Sequence, residues 1–235
     1  MLRLFRWLVL AALAAAVLLG RPWQYLPPQW NPWEPLAVDH PMTPVTQWKL
    51  QRLGDDAEQC QAVLEAAPEG ALDYTPLRDY TPVEGCPLVN VVRISRTDVE
   101  FNASFTVTCP VAVAWVMYER QQLQPLAASL LGSRLQQVEH FGSFACRNIY
   151  HRADARRSQH ALANAFDVAA FRMADGTRIS VLKDWNNDTE PAKSEFLRQA
   201  HSQACRYFRT VLGPDYNQPH ENHFHLEGSG FGFCR

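Results

Sequence analysis

Ser158-Gln159-His160-Ala161-Leu162-Ala163-Asn164-Ala165-Phe166-Asp167 is the stretch on which the reading of this chain turns. It carries one imidazole and one carboxylate, and the run that follows, Ala165–Phe171, is apolar and strand-like apart from Asp167. An ionised carboxylate in such a run is costly to bury unless it is paired or bound to a metal. About sixty residues later comes His220-Glu221-Asn222-His223-Phe224-His225. Together the two segments offer two imidazoles and a carboxylate as ligands, with further His and Glu beside them as acid–base groups. Three protein ligands with a fourth position left for water is the composition of a catalytic zinc site. If the segments meet in space, the chain is a zinc hydrolase or descends from one.

The spacings set conditions on that meeting. His160 and Asp167 are seven positions apart, so on one continuous strand they would face opposite ways. They converge only if a turn lies between them, and Asn164 among the small residues Ala161, Ala163 and Ala165 makes a bend there reasonable. His223 and His225 are two apart and share a strand face, with Phe224 and Leu226 on the core face. One of these histidines can bind metal while the other stands beside water or substrate.

Around these segments the sequence predicts an α+β domain with an antiparallel sheet. Asp55–Ala66 reads as a helix with Cys60, Val63 and Leu64 on one face. Pro87–Ile94 reads as a strand, and Thr106–Thr108 leads into a helix that starts at Pro110 and runs to about Arg120. A second helix spans Gln124–Leu131 and stops at Gly132. Leu135–Arg147 reads as a strand pair with a turn near His140–Gly142. Asp175-Gly176 marks a hairpin turn between the Asp167 strand and Arg178–Val181. Ser194–Val211 carries the apolar face of a long helix, stopped by Gly213-Pro214, and His223–Leu226 forms a last short strand.

The N-terminus, residues 1–21, reads as a signal anchor or signal peptide. Arg3 and Arg6 precede an apolar run from Trp7 to Leu19. That is short for a span, which needs ~20 residues, and close to a signal core of ~7–15. Ala14-Ala15-Ala16 has cleavage-site character but would leave a very short core, so the sequence favours an uncleaved inner-membrane anchor. The positive N-terminal side places the body outside the cytoplasm. Residues 22–46, rich in Pro and Trp, are expected to form an extended spacer. Their tryptophans suit either interfacial anchoring or docking on the domain. Residues 47–235 form the globular domain.

Composition agrees with a folded, exported protein. Of 235 residues 47% are hydrophobic and 20% charged, which suits a packed core. A net charge of −2 offers no basic stripe for nucleic acid. Six cysteines without a CxxC pair argue for disulfides rather than structural zinc. Six allow 15 pairings; the pairing expected here is Cys60–Cys86, Cys109–Cys146 and Cys205–Cys234.

The order Ser158-x-His160, Asp167, His223-x-His225 resembles the LAS group of zinc peptidases, which includes D-alanyl-D-alanine carboxypeptidases and dipeptidases, a murein endopeptidase and the zinc fold of hedgehog domains. A longer likeness, from about residue 50 to the end, is to the bacterial extensin-like C-terminal family. It runs through Leu131-Gly-Ser133, Gly142-Ser-Phe-Ala-Cys-Arg147, Asp184-Trp185, Phe196-Leu-Arg198, Cys205 and Thr210-Val-Leu-Gly-Pro214. The resemblance implies a small sheet bearing Zn2+ on His160, Asp167 and His225, packed by helices and stapled by disulfides. It implies Ser158 beside the ligand loop, Arg147 polarising the scissile carbonyl or steadying a substrate carboxylate, and His223 hydrogen-bonding the reacting centre. His220 becomes the general base, with Glu221 the alternative. Where the family commonly has Gly after the first ligand, this chain has Ala163. The substrate implied is the stem peptide or cross-link of peptidoglycan. The competing reading is a zinc fold without turnover, with a structural or binding role at the cell envelope.

Overall fold

The computed structural model describes residues 2–230 and 232–235. The chain begins with α1 (Leu2–Gly20), followed by α2 (Pro44–Arg52) and α3 (Ala57–Glu65). The strands β1 (Leu72–Pro76), β2 (Tyr80–Val83), β3 (Cys86–Leu88), β4 (Val91–Thr97) and β5 (Glu100–Thr108) come next, then α4 (Cys109–Tyr118) and α5 (Gln124–Leu131). The second half holds β6 (Leu135–Gly142), β7 (Ala165–Met173), β8 (Arg178–Ser180), α6 (Val181–Asp184), α7 (Pro191–Ala204), β9 (Thr210–Leu212), β10 (Phe224–Glu227) and β11 (Phe233–Cys234).

The α+β class holds, but the sheet is neither small nor wholly antiparallel. Nine strands join in the order β1-β4-β5-β6-β7-β10-β9-β11, with β8 also paired to β7. The β5–β6 and β9–β11 pairs are parallel. The sheet outgrew its expectation mainly through β5. There Phe101, Phe105 and Val107 are buried between Glu100, Asn102, Ser104 and Thr106, a period-two alternation that makes a nine-residue strand. The expected strand 87–94 is broken at Asn90, which adopts a left-handed φ of 52°. The expected pair within 135–147 is the single strand β6. The expected helix to Val211 stops at Ala204, and the β-branched Thr210-Val211 enters β9 instead.

The helix α4 is buried on every side, from Cys109 to Tyr118. It was expected to end before α5, yet the two run on through a wider π turn at Glu119–Leu123. Pro125 accounts for the turn: it has no N–H for the preceding turn, and widening the backbone relieves its clash there. Trp115 of α4 packs edge-on against Phe166 of β7, with ring centroids 5.3 Å apart. Phe166 also stacks on Phe105 at 4.2 Å. With Phe166 committed to this core, alternation turns its neighbour Asp167 to the other sheet face.

Two expectations about the N-terminal region change. Arg3 and Arg6 fall inside the 19-residue α1, and among the described residues no helix is long and apolar enough to cross a membrane. From Pro28 onward the expected spacer lies on the domain. Leu36 and Val38 belong to the main core. Prolines leave backbone carbonyls without reciprocal donors, and side chains of the body fill that need. Lys49 Nζ donates to Pro28 O at 3.1 Å, and Gln121 Nε2 donates to Val38 O at 2.8 Å and His40 O at 3.0 Å. The tryptophans stay largely exposed, Trp33 at 65%.

The disulfides are Cys60–Cys109, Cys86–Cys146 and Cys205–Cys234. Only the last was expected. Cys60 meets α4 because α3 packs on that helix, and Cys86 ties β3 to the segment before Arg147. Digestion without reductant should release peptides linked 60–109, 86–146 and 205–234; a 60–86 link contradicts the fold. Replacing Cys86 and Cys146 by Ser should cost about 2–4 kcal/mol of stability in denaturant titration.

Glu119 gives a second prediction. Its carboxyl is wholly buried, with one oxygen accepting from Thr97 Oγ1 and from Trp115 Nε1 at 3.0 Å. Burial pushes it up to about 8 from an ordinary 4.5, against those hydrogen bonds. The folded protein therefore keeps a proton that the unfolded chain releases near 4.5. Its stabilising effect is full below that pH and declines as pH rises towards about 8. Melting curves should show the wild type losing about 3 °C or more between acid and pH 8 relative to Glu119→Gln. Parallel losses in both proteins contradict the assignment.

Candidate functional site

His160 sits in a single 3-10 turn, Gln159–Leu162, whose N-cap is Ser158; the Ser158 hydroxyl accepts from the His160 N–H at 3.3 Å. The turn ends at Ala163 in the left-handed region, φ 51°. This is the bend that the seven-residue spacing required. A non-glycine residue there is strained by roughly 1–2 kcal/mol, so the Ala in the position where the resembling family has Gly is a strained substitution. Asn164 pins the bend. Its Oδ1 accepts from Thr108 Oγ1 at 2.9 Å and its Nδ2 donates to Gln159 Oε1 at 2.8 Å. The chain then enters β7 with Asp167 on the far side of the sheet from Phe166.

In the antiparallel register of β7 and β10, Asp167 lies directly opposite His225. His225 Nδ1 is 2.8 Å from Asp167 Oδ1, His160 Nε2 is 3.1 Å from Asp167 Oδ2, and the two ring nitrogens are 3.1 Å apart. Each ring is oriented from behind. His160 Nδ1 donates to the Ser143 carbonyl at 3.1 Å, leaving Nε2 as a lone pair. His225 Nε2 donates to Glu227 Oε1 at 2.8 Å, which directs Nδ1 inward. Three electron-rich atoms thus converge, and only a cation between them relieves the repulsion. Burial opposes charge on His225, but Asp167 and Glu227 on either side outweigh it and raise the imidazole to about 9. Burial likewise pushes Asp167 up, yet its hydrogen bonds with His160 and His225 win and hold it well below the usual carboxylate range. Two nitrogens bound tetrahedrally at 2.0–2.1 Å from zinc lie about 3.3 Å apart, close to the 3.1 Å between these two rings.

Two more histidines close one side. The ligand atoms of His220, His223 and His225 lie within 4.8 Å of one another, and His223 Nε2 is 3.5 Å from Asp167 Oδ1. His220 Nδ1 donates to Asn217 Oδ1 at 2.6 Å and His223 Nδ1 to Asn222 Oδ1 at 2.8 Å, so both present Nε2 as an acceptor. Burial, with the charge of His225 beside it, lowers His220 to about 4 and keeps it neutral. Burial also lowers His223. Arg147 is half-buried and its charge is felt at His223. Glu221 is exposed, and among the described residues it belongs to no metal-holding group. A second group, His201 with Cys205 and Cys234, is closed to metal by the disulfide between its cysteines.

The sequence brought forward His160, Asp167, His220, His223 and His225, and the fold assembles all five. It did not bring forward Glu227, although His223, His225 and Glu227 continue one period-two series on one strand face. Asn217 and Asn222 were also missed; asparagine in a loop ordinarily signals only a turn.

Comparison with curated proteins and with solved structures gives no match. Residues 58–235, about three quarters of the chain, match the family model described as the extensin-like protein C-terminus, and the chain belongs to that family.

Proposed function

We propose that the protein is a zinc-dependent peptidase of the cell envelope that hydrolyses peptidoglycan stem peptides or their cross-links. The observation that carries this reading is the convergence of His160 Nε2, Asp167 and His225 Nδ1, each ring oriented by an acceptor behind it. The order of these residues, which resembles that of LAS zinc peptidases, supports it. Three disulfides fit an extracytoplasmic location, and the apolar α1 behind Arg3 and Arg6 is read as the export segment.

When bound, zinc supplies a Lewis acid that acidifies water and polarises a carbonyl. The chain's own groups do the rest. Asn217 holds the tautomer in which His220 Nε2 is free to take a proton from the attacking water and to return it to the leaving amine. His223 Nε2, with its other nitrogen tied to Asn222, offers a second acceptor that orients the water. Arg147 places positive charge near His223, where negative charge grows on the carbonyl oxygen or where a substrate carboxylate ends. Glu227 keeps His225 pointed inward.

Metal analysis of the purified protein should find about one zinc per chain, and His160→Ala or Asp167→Ala should lose it. Glu227→Gln should fold normally and weaken zinc binding about 10–100-fold in chelator competition. Full zinc in the Asp167 variant contradicts the ligand set. Incubated with purified peptidoglycan, the protein should release peptide fragments in a chelator-sensitive manner. His220→Ala should retain zinc and lose about 10²–10⁴-fold in rate. Zinc at full occupancy with no fragment released replaces this reading with a zinc fold that binds the wall without cutting it.

A further inference from the structure

A groove of about 670 Å3 lies along β5 and the end of β6. Tyr80, Phe141 and Phe144 line it as aromatic walls, and Thr106, Ser143 and Arg93 complete it. Its connection to the site is through hydrogen bonds already described at one end: the Ser143 carbonyl holds His160, and the Ser143 hydroxyl donates to Thr106 O at 2.6 Å. Thr106 in turn lies opposite Arg93 in the β4–β5 register. One strand step of about 4.8 Å separates Arg93 from Thr106. An extended peptide advances about 3.3 Å per residue, so a chain lying in the groove with one bond at the ligand group brings a side chain several residues away to Arg93.

Arg93 is suited to meet a ligand. Its neighbour Arg96 is taken by Asp73 at 3.0 Å, and Arg178 on the other side of the site is taken by Glu139 at 2.6 Å. Arg93 is exposed, and among the described residues it meets no carboxylate at ion-pairing distance. Phe141 is the second marker. Single exposed aromatics are ordinary on protein surfaces; what distinguishes Phe141, 61% exposed, is its place. Its ring meets that of His223 edge-on with centroids 5.8 Å apart. It also lines a second cavity of about 370 Å3 on its far side, together with Asn222 and Lys183. A chain passing from one cavity to the other crosses Phe141 beside the reacting groups.

From these placements we infer that the two cavities form a single cleft for an acidic peptide. Arg93 binds a carboxylate several residues from the bond at the ligand group, and Phe141 is the platform over which the peptide lies. This rests on the peptidase reading of the adjoining site for the position of the bond.

The test uses the full-length, zinc-loaded protein and muropeptides released from peptidoglycan, either with free carboxylates or with those carboxylates amidated. Binding is read by calorimetry, cleavage by mass spectrometry, and zinc content is checked in every variant. In an Arg147→Gln background, which removes the other cation offered to a substrate carboxylate, the protein should bind the free acid about tenfold more tightly than the amide, and adding Arg93→Gln should abolish that preference. Phe141→Ala should weaken both forms several-fold with zinc unchanged. If adding Arg93→Gln retains the preference, or if the Arg147→Gln protein has none, the cleft assignment falls, even where cleavage proceeds. If the preference depends on Arg93 and no fragment appears with the wild type, the cleft stands and the peptidase reading falls.

Discussion

The pairing of β7 with β10 is the constraint on which the site depends. It puts Asp167 across from His225 while Phe166 and Phe224, their neighbours, are driven into the core by apolar burial. A slip of one residue in that register would carry every side chain of β10 to the other face. His225 would then enter the core and Phe224 would face the carboxylate. The aromatic packing of Phe166 on Trp115 and Phe105 therefore does more than stabilise the fold. It fixes the register that holds a negative charge and two imidazoles together against their own repulsion.

The candidate site was largely legible before the fold was known, because its members break local rules. Asp167 interrupts an apolar run, and the small residues around Asn164 supply the bend that the odd spacing to His160 demands. His223 and His225 obey strand alternation. What stayed hidden were groups with ordinary local explanations: Glu227 at the end of a strand, and Asn217 and Asn222 in a loop. Their roles are set by neighbours and not by the residues beside them in sequence. The sequence put His220 ahead of Glu221 by resemblance alone, since adjacent residues at a turn differ only in the direction each leaves the backbone.

The fold was legible in class and less so in extent. Helix α4 and the strands carrying the ligands follow from apolar pattern and from Pro110 at a first turn. Two of the three disulfides do not, because Cys86 and Cys146 meet only after β3 and the segment beyond β6 have come together, which leaves Cys60 to pair with Cys109. The π turn at Glu119–Leu123 arises from Pro125 inside a helix that buried packing keeps continuous. The strap before α2 was misread for a related reason. Proline composition signals the absence of regular hydrogen bonding within a segment, and it is silent about acceptors that another part of the chain will satisfy.

That strap has a consequence for maturation. The backbone carbonyls of Pro28, Val38 and His40 are held by Lys49 and Gln121, and Leu36 and Val38 are sealed in the core. A protease acting between Pro22 and Tyr25 would cut a turn that contributes no buried side chain and would leave the body whole. A cut after Val38 would instead leave a peptide still fastened to the body by its carbonyls and its two apolar anchors. The boundary between what can be removed and what belongs to the body thus falls near Pro28.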